Sequence, residues 1–119
     1  MTRTATDKRI AFRALHETGC FVIPNPWDVG SALMLQGLGF AALATTSSGL
    51  AWSQGKPDGA STREDVLAHL RTMCSATDLP INADFESGFG ADAVTEVVKD
   101  GAVIETARGN PLEFVAAYQ

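Results

Sequence analysis

Two acidic residues, Asp84 and Glu86, are separated by a single residue in the stretch PINADFESGFG, directly after a short apolar segment. At an extended strand end, residues two apart point to the same side. Two like charges held close together are unfavourable unless one carboxyl takes up a proton or a cation lies between them. Oxygen ligands with no His or Cys nearby favour a hard cation, Mg²⁺ or Mn²⁺. The alternative is an ordinary pair of solvated loop acids, which the spacing alone slightly favours.

Two further segments carry groups that could bind or transform a ligand. The stretch TTSSGL combines hydroxyls with a glycine, which lets main-chain N–H groups approach a carboxylate or phosphate closely. Without a partner motif, the residues by themselves favour a serine-rich turn with no ligand. The following WSQGKPD contains Asp58, either an active-site acid or a turn aspartate. The sequence has no GxGxxG, GxxxxGK[ST] or GxSxG motif, so dinucleotide, P-loop and hydrolase functions have no support.

The groups above must be positioned by secondary structure, and four segments have apolar residues at the spacing of a helix. They are IAFRAL, SALMLQGL, a segment after Ser61, and the short ADAVTEVVKDG. Ser61 and Glu64 have the spacing of a capping box. The apolar stripe of that helix consists of Val66, Leu67, Leu70, Met73 and Cys74. His16 and His69 fall within predicted helices, where surface or boundary positions are expected and no Ser-His-Asp set can be argued.

Short apolar strands alternate with these helices: CFVIP, FAALATTS, LPINAD and AVIE. Such alternation predicts parallel pairing with right-handed crossovers, in either a doubly wound sheet or part of a β/α barrel. In both architectures functional groups follow the C-terminal ends of the strands. The residues selected by this rule are Asn25, Trp27 and Asp28, the stretch 46–49, Asp84 and Glu86, and Glu105.

Composition limits the class of protein. The chain has 119 residues, 45% hydrophobic and 19% charged, with a net charge of −5 and no Lys/Arg cluster, so neither nucleic acid nor an anionic membrane is an expected partner. Cys20 and Cys74 lack CxxC spacing and are expected to be reduced and partly buried. No segment resembles a signal peptide or a membrane span, which predicts a cytoplasmic protein.

Three pieces of the chain resemble one family when they are taken together and in order. NPWDVGSA, GFAALATTSSGLAWSQGKPDG and DLPINADFESGFG are similar to segments of the isocitrate lyase/phosphoenolpyruvate mutase superfamily, above all its phosphonomutase-like and methylisocitrate-lyase-like members. The resemblance implies an α/β fold, a partial (β/α) TIM-type barrel of about the first four βα units. It also implies Mg²⁺-dependent cleavage or formation of a C–C or P–C bond beside a small 2-oxo or 2-hydroxy acid, through an enolate.

The resemblance assigns roles to individual positions. The substrate-binding candidates are Trp27, Ser48, Gly49 and Leu50. The catalytic candidates are Asp58 and, in the segment VIETARGNP, Glu105. The metal ligands implied are Asp84 and Glu86, with Mg²⁺, or Mn²⁺ in its place, as the cofactor.

Length bears on the expected assembly. A complete β/α barrel takes about 250 residues, so residues 1–119 are expected to form one incomplete barrel domain. Its open sheet edges would favour pairing with another copy, which predicts a homo-oligomer. Two alternatives stay open: a non-catalytic, truncated paralogue that self-associates, and a small doubly wound domain that binds an anionic metabolite.

Overall fold

The computed structural model describes residues 3–89, together with the backbone of residues 94–99 and 102–108. Its helices are α1 (Ala5–Leu15), α2 (Val29–Gly37), α3 (Ser47–Ser53) and α4 (Arg63–Ala76), and its strands are β1 (Leu43–Ala44), β2 (Ile81–Asn82), β3 (Val94–Lys99) and β4 (Ala102–Arg108). This part of the chain is an α/β fold. In the ranges described, no helix has both the length and the apolar character that crossing a bilayer requires.

A parallel pair of strands forms the centre of the fold, as the alternating pattern predicted. β1 and β2 pair in register, Leu43 with Ile81 and Ala44 with Asn82. The side chains of Leu43 and Ile81 are completely buried, as expected of parallel strands covered on their faces.

The predicted first strand, CFVIP, is not a β-strand in the structure. It contacts β1 through the carbonyl of Pro24, which accepts a hydrogen bond from the N–H of Ala44 at 3.0 Å. Val22 is 66% exposed and Cys20 is exposed, so the expected burial of both is wrong. This main-chain bond and the edge-on ring contacts of Phe21 with Phe12 and His16 hold the segment, whereas Val22 faces solvent.

Helix α4 packs against α2 and α3 and contributes Val66, Leu67, Leu70 and Met73 to the core. Its predicted apolar stripe is confirmed, with Cys74 half-buried and the other four members buried. One buried cluster joins Leu50, Val66, Leu67, Leu70, Ala83 and Phe85, and the second joins Ala32, Leu43, Met73 and Ile81. The first cluster packs α3 and α4 against Ala83 and Phe85, which follow β2. The second packs α2 and α4 against Leu43 of β1 and Ile81 of β2.

The start of α4 lies one residue later than the capping-box spacing predicted. The N-cap is Thr62, whose hydroxyl accepts from the N–H of Asp65 at 3.1 Å while the Asp65 carboxylate accepts from the N–H of Thr62. Ser61 is instead buried, and its hydroxyl has no hydrogen-bond partner in the described chain. Ser61–Glu64 and Thr62–Asp65 have the same spacing, so the spacing alone does not separate the two caps.

Two predicted elements are wrong. The first part of the glycine-containing loop predicted over SGLAWSQGKPDG is instead a helix, α3, because the Thr46 hydroxyl caps it and Leu50 and Ala51 bury one face. The helix and parallel strand predicted after residue 90 are replaced by an antiparallel hairpin of β3 and β4. Val94, Val97 and Val98 favour a strand, and the Asp-Gly pair between the hairpin strands is a strong hairpin signal.

Candidate functional site

The C-terminal ends of β1 and β2 lie side by side, and hydrogen bonds join the two segments that leave them. The N–H of Thr45 donates to the carbonyl of Asn82 at 2.9 Å. The N–H of Asp84 in turn donates to the hydroxyl of Thr45 at 2.9 Å. The residues that follow the two strands are therefore held together, as the strand-end rule predicted.

Asp84 is anchored through both of its carboxylate oxygens. Oδ2 accepts from the main-chain N–H of Ser47 at 2.9 Å, and Oδ1 accepts from the N–H of Glu86 at 3.1 Å. Partial burial acts to raise the pKa of Asp84, but the hydrogen bonds from Ser47 and Glu86 outweigh burial and lower that pKa. Asp84 is therefore an ionised carboxylate with a fixed orientation.

Glu86 has the opposite electrostatic environment. Its Oε1 is buried and has no hydrogen-bond partner among the described residues. Burial, followed by the negative charges of Asp84 and Asp58, raises the pKa of Glu86. Its backbone also adopts a left-handed conformation, with φ of 51°. The structure thus brings the three acids Asp84, Glu86 and Asp58 near enough to interact, with Glu86 the unsatisfied member.

The predicted substrate-binding turn is the first turn of α3. The N–H of Gly49 donates to the Thr46 hydroxyl at 3.1 Å, and the N–H of Leu50 donates to the Thr46 carbonyl at 3.0 Å. These two N–H groups are therefore used within the helix, contrary to the expectation that the turn would offer them to a carboxylate. The Leu50 side chain is buried in the core. The half-buried Ser48 hydroxyl lies at hydrogen-bond distance, 3.2 Å, from the Thr46 hydroxyl.

Trp27 and Asp28 lie beside this turn at the start of α2. Trp27 is 51% exposed, and a β-carbon placed on Gly49 would lie 3.1 Å from the β-carbon of Trp27. Asp28 caps α2 by accepting from the N–H of Ser31 at 2.7 Å, and the hydrogen bonds from Ser31 lower its pKa. Asp28 is therefore a capping residue, whereas Trp27 borders the predicted site.

Asp58 and Glu105 were predicted as the catalytic acids. Asp58 is exposed, on the loop that joins α3 to α4. Lys56 ties the same loop to α4 through an ion pair with Asp65 at 3.2 Å. Glu105 lies within β4, opposite Val97 in the antiparallel hairpin. The prediction that it ends a fourth parallel strand is wrong, and its role stays a prediction from the resemblance alone.

Sequence reasoning missed the residues that hold Asp84 in place. Thr45 and Ser47 belong to TTSSGL, but they were considered only as part of a possible anion-binding turn. Their contacts with Asp84 follow from the adjacency of β1 and β2. The predicted pairing of neighbouring strands was the signal that could have found them.

A separate concavity of about 530 Å³ lies between α2, α3 and α4. His69 borders it, with a buried Nε2 that has no hydrogen-bond partner in the described chain. Burial lowers the pKa of His69, while the charge of Asp28 acts to raise it. Neither Asp84 nor Glu86 lines this concavity, so it is distinct from the acidic group at the strand ends.

The donor set at the strand ends fits a hard divalent cation. Asp84 keeps further acceptor capacity on each oxygen, and Glu86 offers a buried oxygen with no partner among the described residues. Within residues 3–89, no three His, Cys, Asp or Glu side chains are grouped closely enough to hold a metal ion by themselves. Mg²⁺ is commonly bound through one or two carboxylates, with waters and substrate oxygens completing its coordination.

Comparison with known proteins agrees with the geometry. Residues 12–110 match the family model of phosphoenolpyruvate phosphomutase. The chain is 34% identical over 110 residues to an uncharacterised protein of Mycobacterium tuberculosis, covering 87% of this chain and 43% of that protein. It is 35% identical over 101 residues to 2-methylisocitrate lyase of Escherichia coli, covering 77% of this chain and 34% of the enzyme.

A solved structure from Burkholderia cenocepacia, described provisionally as a lyase/mutase, matches with a TM-score of 0.71 and 50% identity. The match covers 72% of this chain and 31% of that structure. The chain therefore belongs to the phosphoenolpyruvate phosphomutase family, within the phosphoenolpyruvate mutase/isocitrate lyase superfamily, as the resemblance predicted. It spans less than half the length of these relatives.

Proposed function

We propose that this chain forms the cation- and carboxylate-binding part of a lyase or mutase that acts on a small 2-oxo or 2-hydroxy acid. The observation that carries this proposal is the anchored Asp84 beside a Glu86 oxygen that is buried and without a partner in the described chain. Family membership supports the reaction class, since 2-methylisocitrate lyases are among the relatives. In the same proposal, the α/β fold is the first part of a β/α barrel.

Each residue of the site has a proposed task. Asp84 and Glu86 would hold Mg²⁺ or Mn²⁺, directly or through water. When bound, the cation would supply positive charge that stabilises negative charge developing on the substrate oxygens. The Ser48 hydroxyl would donate a hydrogen bond to the substrate carboxylate, and the indole of Trp27 would limit access of water from one side.

Proton transfer is assigned to acids outside the cation pair. Asp58 is the candidate that the structure supports, because it is exposed on a loop and its charge reaches Glu86. Glu105 remains a second candidate on the resemblance alone. Asp58→Asn should lower kcat far more than it changes cation affinity.

Cation binding tests the proposal directly. Mn²⁺ added to the purified chain should bind with 1:1 stoichiometry, measured by loss of the free-ion electron paramagnetic resonance signal, and oxalate should strengthen the binding. Asp84→Asn and Glu86→Gln should each weaken Mn²⁺ binding by at least about tenfold, as expected when a carboxylate ligand loses its charge. Glu64→Gln is the matched control, because Glu64 is an exposed acid on α4.

Glu86→Gln provides a second readout in the absence of metal. The substitution removes a carboxylate that is opposed by Asp84 and Asp58, so the free energy of unfolding in EDTA should not decrease. A wild-type chain that fails to bind Mn²⁺, or variants that bind as tightly as wild type, would overturn the cation site.

A non-catalytic, self-associating chain is the second candidate. Helix α2 and its C-cap residue expose Leu33, Met34 and Leu38, which are 45%, 69% and 70% accessible. A helix that presents three large apolar side chains to solvent is typical of a surface covered by another element or chain. We propose that this face contacts a second copy. Light scattering should then give a dimer or larger assembly, and Met34→Lys should shift it towards monomer; a monomeric wild-type chain that turns over substrate would exclude this alternative.

A further inference from the structure

The orientation of Asp84 is determined by the segment that follows the neighbouring strand. Its Oδ2 accepts from the main-chain N–H of Ser47, and its own N–H donates to the hydroxyl of Thr45. Thr45 is 4% exposed, so this contact is made in the protein interior. The segment between β1 and α3 therefore holds both the backbone and the carboxylate of Asp84.

We propose that the main-chain N–H of Ser47 is a positioning group that fixes the Asp84 carboxylate for cation binding. The inference rests on the proposed function, since it presumes that Asp84 binds a cation. It adds that the affinity for the cation depends on a main-chain group that carries no charge and does not contact the ion. The partners of metal-binding side chains commonly contribute about 10- to 100-fold to metal affinity.

The local backbone makes this N–H available. Ser47 is the first residue of α3, and the first N–H groups of a helix have no partner within the helix. Thr46 is extended, with φ of −135° and ψ of 119°, and its hydroxyl satisfies the N–H of Gly49. The N–H of Ser47 donates instead to Asp84.

Two donors on different oxygens prevent rotation of the carboxylate. The N–H of Glu86 donates to Oδ1 and that of Ser47 to Oδ2, so a turn about the side-chain bond would break both hydrogen bonds. Each oxygen retains a second acceptor direction. Without the Ser47 N–H bond, only the Ser47 hydroxyl, which also hydrogen-bonds the Asp84 carboxylate, and the N–H of Glu86 would orient the side chain.

Proline at position 47 removes this N–H with little other disturbance. Proline is favoured at the first position of a helix, where its missing N–H breaks no helical bond. The residue before a proline must be extended, and Thr46 already is. Ser47→Ala is the matched control, because it also removes the hydroxyl but keeps the N–H. The difference between the two variants therefore isolates the hydrogen bond.

The experiment measures Mn²⁺ affinity of the wild-type chain, Ser47→Ala and Ser47→Pro, with far-ultraviolet circular dichroism as a check on folding. We expect Ser47→Ala to bind within about threefold of wild type and Ser47→Pro to bind about 10- to 100-fold more weakly. Equal affinities of the two variants would overturn the proposal. If both bind like wild type, the N–H is not needed; if both lose affinity equally, the hydroxyl is the group responsible.

A second pair of variants decides the matter if Ser47→Pro does not fold. Thr45→Ser keeps the hydroxyl that accepts from Asp84, whereas Thr45→Val removes it with nearly the same shape. Retained affinity in Thr45→Ser and at least tenfold weaker binding in Thr45→Val would support positioning from this segment. Equal binding by both would refute it. Absence of Mn²⁺ binding in the wild-type chain would instead refute the cation site itself.

Discussion

Replacing Gly49 by alanine should destabilise this protein, although alanine is ordinarily the better residue in a helix. A β-carbon at this position would lie 2.6 Å from Cγ2 of Thr46 and 3.1 Å from the β-carbon of Trp27. Alanine gains up to about 1 kcal/mol over glycine in helix propensity, whereas overpacking costs about 1–3 kcal/mol. Rotation of Thr46 to relieve the contact would break its capping bond, which is worth about 1 kcal/mol. The net change should be a loss of about 1–2 kcal/mol in the free energy of unfolding.

Urea unfolding followed by circular dichroism measures this change, and two controls identify its cause. Gly37→Ala at the end of α2 meets no atom within 4 Å and should be neutral or stabilising by up to about 1 kcal/mol. Thr46→Ser removes Cγ2 but keeps the capping hydroxyl, so in that background the cost of Gly49→Ala should fall by at least about half. If Gly49→Ala is as stable as wild type, or costs the same in both backgrounds, the close packing of α3 against Thr46 is refuted.

Three further predictions concern groups outside the site. Lys8 is buried and donates to two main-chain carbonyls at the C-terminal end of α4, at 2.8 and 3.0 Å, so Lys8→Met should lower the free energy of unfolding by about 1–3 kcal/mol in urea. Burial lowers the pKa of His69 against the opposing charge of Asp28, so the unfolded chain binds the proton more readily. Stability should therefore fall as the pH decreases through the unfolded-state pKa of about 6.5, and His69→Gln should flatten that part of the pH profile. Burial raises the pKa of the Cys74 thiol to about 11, so exposed Cys20 should react with a thiol reagent at pH 8 at least about tenfold faster than Cys74.

Two kinds of element are predicted correctly. They are the helix whose apolar pattern extends over several turns and the short strands that are buried on both faces. Helix α4 has five apolar residues at helical spacing, and its packing against the sheet is the direct consequence. The parallel pairing of β1 and β2 follows from the alternation of short apolar segments with helices. In both cases local propensity and burial favour the same structure.

The errors occur where short-range signals compete. TTSSGL contains turn-forming residues, yet Thr46 uses its hydroxyl as a cap and a seven-residue helix follows. VTEVVK has the spacing of a short helix, but its β-branched residues and the following Asp-Gly pair favour a hairpin. Single-sequence patterns of six or seven residues do not separate these outcomes, because tertiary contacts decide them.

The strand-end rule found the acidic pair and the neighbouring turn but not how they are connected. Asp84 and Glu86 follow β2, and Ser48 follows β1, as predicted. Leu50 was selected by the family resemblance and not by this rule, and its side chain is in the core. The strand-end rule could not identify the Ser47 N–H, because a main-chain donor leaves no signature in residue type.

Glu86 combines three unfavourable features that its neighbours avoid. Its φ of 51° is a conformation that a non-glycine residue adopts at a cost of about 1 kcal/mol. One of its oxygens is buried without a partner in the described chain, and the charges of Asp84 and Asp58 oppose its ionisation. Asp84, two residues away, has a hydrogen bond to each oxygen. A purely structural acid pair would gain nothing from this asymmetry, because a glycine at position 86 would relieve all three penalties. A cation shared by the two carboxylates would supply the missing partner for Glu86 and remove the repulsion, and for that reason we interpret this strained residue as part of a binding site.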